Sequence, residues 1–288
     1  MRNLFDPLPS LSRDIERGLA FFILVADIMG TGKSTLANFH AYRLAQFYSP
    51  SGDEVWPFSL KPEGTNREHD EGEEGNKSRP GLLIPGRTVP QEEPELIAVY
   101  TKEHIAAGNP PVFVDDELHM YCTSSDFQTP GKLGVRVAVR TQVKYLGAQV
   151  FGVTLNKDFG NREIPLYIDL RRLARIALNA HPAFCQHKDN VDSKLKRCPN
   201  LSTRNLLYFN GRQLPYSGFR VVVGNTGASS EGFSYPLHCE EHATPPKEEG
   251  TLENNYDLSL TPDDYRVFEV LQRRGIIPSG ETIEDLFR

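Results

Sequence analysis

Gly30, Thr31, Gly32, Lys33, Ser34 and Thr35 stand in a row, and their types suit the holding of a polyphosphate. Glycines let consecutive backbone N–H groups curl toward phosphate oxygens. A lysine placed after them bridges the β- and γ-phosphates, and the next hydroxyl ligates Mg²⁺. Residues 19–26 are a continuous apolar run and residues 34–47 carry apolar side chains at helical spacing. This gives strand, loop and helix, with the helix N-terminus aimed at the anion. Where the phosphate-loop pattern opens on glycine, this chain has Asp27. We expect its carboxylate to turn outward and brace the loop backbone, as short acids do in turns.

A nucleotide loop of this kind needs an acid on a neighbouring strand. "VFVDDELH" supplies Asp115, Asp116 and Glu117 after the short apolar run 112–114. We assign Asp116 to the Mg²⁺ shell, with Asp115 as the competing choice, and Glu117 to polarising the attacking water. Thr154 or Asn156, at the polar end of "QVFGVTLN", falls where α/β sheets meet their ligands. Either could sense the γ-phosphate or cap the strand. Among the cations, Arg171 and Arg172 are the first candidates for a residue that completes a neighbouring subunit's site, then Arg140 and Lys144. A solvated helix face is the competing reading for each.

These residues need a rigid frame. Apolar strand-like runs alternate with helical stretches through about residue 180, which predicts an α/β fold with a mostly parallel sheet flanked by helices. "GKLGVRVAVRTQVKYLG" reads as a crossover helix despite its β-branched residues. "REIPLYIDLRRLARIALNA" reads as an extended piece followed by a basic helix. Residues 1–18 form a lead-in arm, 19–180 the core, and 181–288 a C-terminal extension with a β-hairpin and a closing helix. In that helix Thr261 is the N-cap, Pro262 opens the first turn and Gly275 ends it. Residues 49–95 are rich in Pro, Gly and Glu and read as a long surface insertion, pinned by Trp56.

The net charge of −6 provides no global basic field for nucleic acid, so any such contact must be local or inside a ring. Four scattered cysteines fit a reducing compartment better than a disulfide scaffold. Cys185, His187, Cys198, His238, Cys239 and His242 lack zinc-site spacing, and free thiols and surface histidines are the better reading. No apolar run reaches the length of a membrane span, so we expect no transmembrane segment.

Over residues 19–180 the chain resembles P-loop ATPases of the FtsK/HerA superfamily. It is similar to the branch of viral genome-packaging and zonula-occludens-toxin-like proteins. The resemblance rests on "MGTGKST", "VFVDDELHMY" and "VKYLGAQVFGVTLN", with "IDLRRLAR" standing where that branch carries its arginines. It implies ATP and Mg²⁺ as cofactors, a homo-oligomeric ring, duplex DNA as the partner and a genome-packaging role in the host cytoplasm or virion. A capsid-vertex or membrane protein is a further implied partner. The competing functions are a filamentous-phage-type export ATPase, a P-loop kinase and a non-catalytic P-loop protein. Asn156 stands where the family commonly has Gln, and with Asp27 it puts the catalytic rate in question more than nucleotide binding.

Overall fold

The computed structural model describes residues 9–27, 33–49, 56–63, 86–105, 111–121, 134–157, 163–180, 188–189, 196–197, 206–209, 212–215, 219–223 and 259–288. Its centre is strand β1, Phe21–Asp27, in which residues 21 to 26 are buried. Phe21, Ile23 and Val25 face one layer, and Phe22, Leu24 and Ala26 face the other. A strand with six successive apolar residues is stable only when both faces are covered.

Helix α1, Pro9–Glu16, precedes β1, and α2, Lys33–Phe47, follows it. Leu11 and Ile15 of α1 and Leu36, Ala37, Ala41 and Leu44 of α2 bury against the first layer. Next come β2, Phe58–Pro62, and β3, Gly86–Val89. Both lie within the stretch expected to be an insertion, yet both are strands of the main sheet. The reason is local: Ser59, Leu60 and Lys61 are buried beside the acid-bearing strand, although proline and charge dominate the letters around them. Trp56 packs at a tilt against Tyr42 of α2, with ring centroids 4.8 Å apart.

Helix α3, Glu95–Ile105, leads to strand β4, Val112–Asp115, and a 3-10 turn, Leu118–Tyr121. Helix α4, Val135–Lys144, is the crossover to strand β5, Gln149–Leu155. Then come helix α5, Pro165–Leu173, and strand β6, Ile176–Ala180. This order corrects the expectation of an extended piece before a basic helix. Pro165 starts a helix, and Leu166, Tyr167 and Leu170 form its buried face, so the basic pair ends the helix and "IALNA" is the strand.

Short strands β7, Lys188–Asp189, and β8, Lys196–Arg197, pair with each other. Strands β9, Leu206–Phe209, and β10, Arg212–Pro215, form an antiparallel hairpin. Strand β11, Phe219–Val223, pairs antiparallel with β6 at the sheet edge. The main sheet runs β11-β6-β1-β5-β4-β2-β3, with every pairing parallel except that edge. The protein is therefore α/β with a mostly parallel, helix-flanked sheet.

The last two helices are α6, Pro262–Arg273, and α7, Ile283–Phe287. Val267, Phe268 and Leu271 of α6 and Ile283 and Leu286 of α7 bury against Ala98 of α3 and Val137 of α4. Thr261 and Asp264 form a reciprocal capping box, and Gly275 holds φ +65° just past the helix end, so both termini follow the expected chemistry. Where α4 begins, Gly134 sits at φ +68°, and a Cβ there would lie 2.6 Å from the Asp263 carbonyl oxygen. A side chain at residue 134 would push the closing helix away from the core.

Among the described residues no helix is long and apolar enough to cross a membrane.

Candidate functional site

Parallel register puts the C-terminal ends of β1, β5 and β4 side by side. Asp27 pairs with Leu155, and Asp115 with Gly152. Gly152 is required by this packing, because a Cβ there would come within 2.6 Å of the Phe22 ring. Beyond these strand ends lie the start of α2 and the turn after β4.

The two ends of the sequence pattern meet directly. Ser34 Oγ donates to Asp116 Oδ1 at 2.9 Å. Asp116 Oδ1 also accepts from the Glu117 N–H at 3.0 Å. The Asp116 N–H donates to the Leu60 carbonyl at 2.8 Å, continuing the β4–β2 ladder by one residue. Asp116 is thus held from three sides before any ligand arrives.

Glu117 follows with its backbone at φ +55°, the one non-glycine left-handed residue among those described. A glutamate in that conformation costs free energy unless its surroundings enforce it, and such residues cluster at working sites. Here the turn enforces it: the Met120 N–H donates to the Glu117 carbonyl at 2.8 Å. Burial, then the adjacent Asp116 charge, push the Glu117 carboxyl up to about 7, with Lys33 and Lys61 opposing. Burial also raises Asp116, while Lys61, the Ser34 hydroxyl, the Glu117 N–H and Lys33 favour its ionised form.

Lys33 is buried at the start of α2. Desolvation lowers its pKa, and Glu117, Asp116 and Asp27 act to keep it charged. Asp27 also acts on Tyr167, so its charge belongs to the field of this site. Two cations, Lys33 and Lys61, stand against three carboxylates.

Lys61 escaped the sequence reading. Its Nζ lies 3.9 Å from Asp116 Oδ2, and both side chains are buried. A lone lysine in a proline-rich stretch carries no spacing signal, and its role emerges only from the β2–β4 pairing. His119 was missed as well. It is buried in the 3-10 turn with Nε2 3.1 Å from Glu117 Oε2. The signal available was its place two residues after a candidate catalytic acid.

Asp115 occupies the other face of β4. Its Oδ1 accepts from Gln142 of α4 at 3.4 Å, and burial pushes its carboxyl up to about 7. Ser34 bonds Asp116, and the structure does not bring Asp115 to that side. Thr154 is fully buried and its hydroxyl donates to the Leu155 carbonyl at 3.2 Å. Asn156 is placed differently: its N–H donates to the Asp27 carbonyl at 3.3 Å, and its buried Oδ1 has no hydrogen-bond partner among the described residues.

Arg171 and Arg172 close the last turn of α5. The Arg171 guanidinium lies 5.6 Å from the centre of the Tyr167 ring, and Arg172 favours ionisation of Asp169. Arg140 and Lys144 are turned elsewhere: Arg140 Nε donates to the Leu286 carbonyl at 2.9 Å, and Lys144 Nζ to that of Asp285. Both tie down α7. Gly30, Thr31 and Gly32 lie outside the described residues, as does the side chain of Thr35. So do Cys185, His187, Cys198, His238, Cys239 and His242.

The donors fit a small hard cation. Mg²⁺ takes few protein oxygens and keeps several waters, and a serine hydroxyl hydrogen-bonded to an ionisable carboxylate is such an oxygen pair.

No family model matches the chain, and no curated protein matches its sequence. Solved structures do match. The N-terminal domain of zonular occludens toxin from Neisseria meningitidis is 14% identical, with 56% of this chain and 76% of that one covered at a TM-score of 0.31. The flagellar accessory protein FlaH from Methanocaldococcus jannaschii is 12% identical, with 74% and 83% covered at a TM-score of 0.34. The conjugation coupling protein TcpA, solved with ATPgS, is 14% identical, with 78% and 63% covered at a TM-score of 0.38.

Proposed function

We propose that this chain is an ATP-hydrolysing motor subunit that acts on duplex DNA in a homo-oligomeric ring and serves genome packaging. The observation that carries the hydrolase part is the Ser34–Asp116 hydrogen bond, with Glu117 held beside it in a left-handed backbone. It joins the hydroxyl of a phosphate loop to the acid of a distant strand. The motor, ring and DNA parts rest on the resemblance in sequence.

In this reading Lys33 neutralises the transferred phosphoryl group, and Lys61 keeps Asp116 ionised. Ser34 and Asp116 would hold Mg²⁺, which supplies charge neutralisation on the phosphates. Glu117 accepts the proton of the attacking water. A base poised near neutral pH suits that task, because it is deprotonated often enough and still basic enough. The Asn156 amide oxygen orients the water or reads its position. Arg171 and Arg172 are the candidates for completing a neighbour's site.

The test is steady-state phosphate release with and without duplex DNA, read beside particle size in solution. DNA stimulation in a ring-sized particle is the expected result. Hydrolysis that ignores DNA in a monomer would remove the motor and leave the hydrolase.

A further inference from the structure

His119 links the acid turn to the end of the sensor strand. Its ring is buried, with Nδ1 hydrogen-bonded and Nε2 close to the Glu117 carboxylate. Nδ1 accepts from the Leu155 backbone N–H at 3.4 Å, and Nε2 lies 3.1 Å from Glu117 Oε2. A ring nitrogen that accepts from an amide carries no hydrogen. The proton of the neutral ring is therefore on Nε2, the nitrogen that lies 3.1 Å from Glu117 Oε2. Burial, then the Lys33 charge, keep the ring neutral.

Two further observations give this bridge a purpose. Glu117 needs a constraint on its side chain as well as its backbone if it is to meet a water in one place, and the turn fixes only the backbone. Leu155 is followed by Asn156, whose buried amide oxygen lies at the same strand end and has no partner among the described residues. His119 therefore connects the general base to the strand carrying the residue that would read the phosphate.

We propose that His119 is a positioning residue that aims the Glu117 carboxylate and fixes its distance from the end of β5. The proposal rests on the hydrolase reading. A small misplacement of a catalytic group costs on the order of 10- to 100-fold in rate, and His119 should matter on that scale. Nucleotide affinity should stay the same, because His119 acts through Glu117.

The experiment has a part without nucleotide and a part with it. In the nucleotide-free full chain, long-range ¹H–¹⁵N spectra of the histidine rings should show His119, assigned by its loss in His119→Gln, protonated at Nε2 only. Its resonances should move in Glu117→Gln. A proton on Nδ1, or indifference to Glu117→Gln, overturns the proposal whether or not the wild type hydrolyses ATP. With ATP, His119→Ala should lower kcat by about 10- to 100-fold while leaving the affinity for a non-hydrolysable analogue within about twofold. His119→Gln, whose amide N–H can replace the Nε2 donor, should recover most of the rate. If His119→Ala keeps its kcat, or His119→Gln folds but loses as much rate as His119→Ala, the positioning role is wrong and the hydrolase reading stands. A wild type that binds ATP without hydrolysing it overturns both.

Discussion

Ser34 Oγ and Asp116 Oδ1 are 2.9 Å apart across 82 residues of sequence. This contact joins the start of α2 to the end of β4 and places a hydroxyl and a carboxylate where one hard cation could meet both. Ser34→Ala should leave the fold intact and lower Mg²⁺-dependent phosphate release on the order of 100-fold, as loss of one preorganised polar group does in a dry site. The Mg²⁺ concentration giving half the maximal rate should rise. An unchanged Mg²⁺ titration would separate this hydroxyl from the metal.

Lys61 supplies the second cation of the site, 3.9 Å from Asp116 Oδ2. Lys61→Met leaves the three carboxylates facing Lys33 alone, and the site becomes less hospitable to an anion. The dissociation constant for a non-hydrolysable ATP analogue should rise by about tenfold, roughly 1.4 kcal/mol. Calorimetric titration checks this, and Lys33→Ala should lose more.

Arg136 is a structural counterpart to the site cations. It is fully buried on α4 and donates from Nη1 to Asp169 Oδ2 at 3.2 Å, from Nε to Asp264 Oδ1 at 2.9 Å, and from Nη2 to Asp264 Oδ2 and the Ser259 carbonyl. One guanidinium thus fastens α4, α5 and the start of α6. Arg136→Met strands two buried carboxylates and should cost about 3–5 kcal/mol in urea unfolding. Adding Asp169→Asn to it should recover part of that loss.

Asp115 predicts a pH dependence of stability. Its folded-state pKa of about 7 lies above the value of an exposed aspartate, so between the two the native state holds a proton the unfolded chain has released. The sign follows: stability attributable to this group falls as pH rises toward 7 and stays low above it. Asp115→Asn removes the term. The difference in unfolding free energy, variant minus wild type, should grow from pH 4 to pH 7 by an amount on the order of a few kcal/mol, then level off. A flat difference would mean that Asp115 ionises normally.

Lys33, Ser34 and Asp116 are legible in the letters because each sits in a contiguous pattern whose spacing is itself the chemistry. The parallel sheet is legible too, since uninterrupted apolar runs such as residues 19–26 leave few alternatives. Lys61, His119 and Arg136 are not, because their partners come from other strands and helices and no local period marks them. The order of α5 and β6 departs from the expected extended piece and basic helix for a different reason. Pro165 opens the helix instead of ending an extended piece, and Arg171 and Arg172 stand in its last turn.

We propose that this site hydrolyses ATP with Glu117 as the base. The most direct measurement is single-turnover phosphate release at saturating ATP by wild type and by Glu117→Gln, with bound ATP quantified in both. We predict equal occupancy, with release slowed on the order of 100-fold or more in the variant. Equal release rates at equal occupancy would contradict the account.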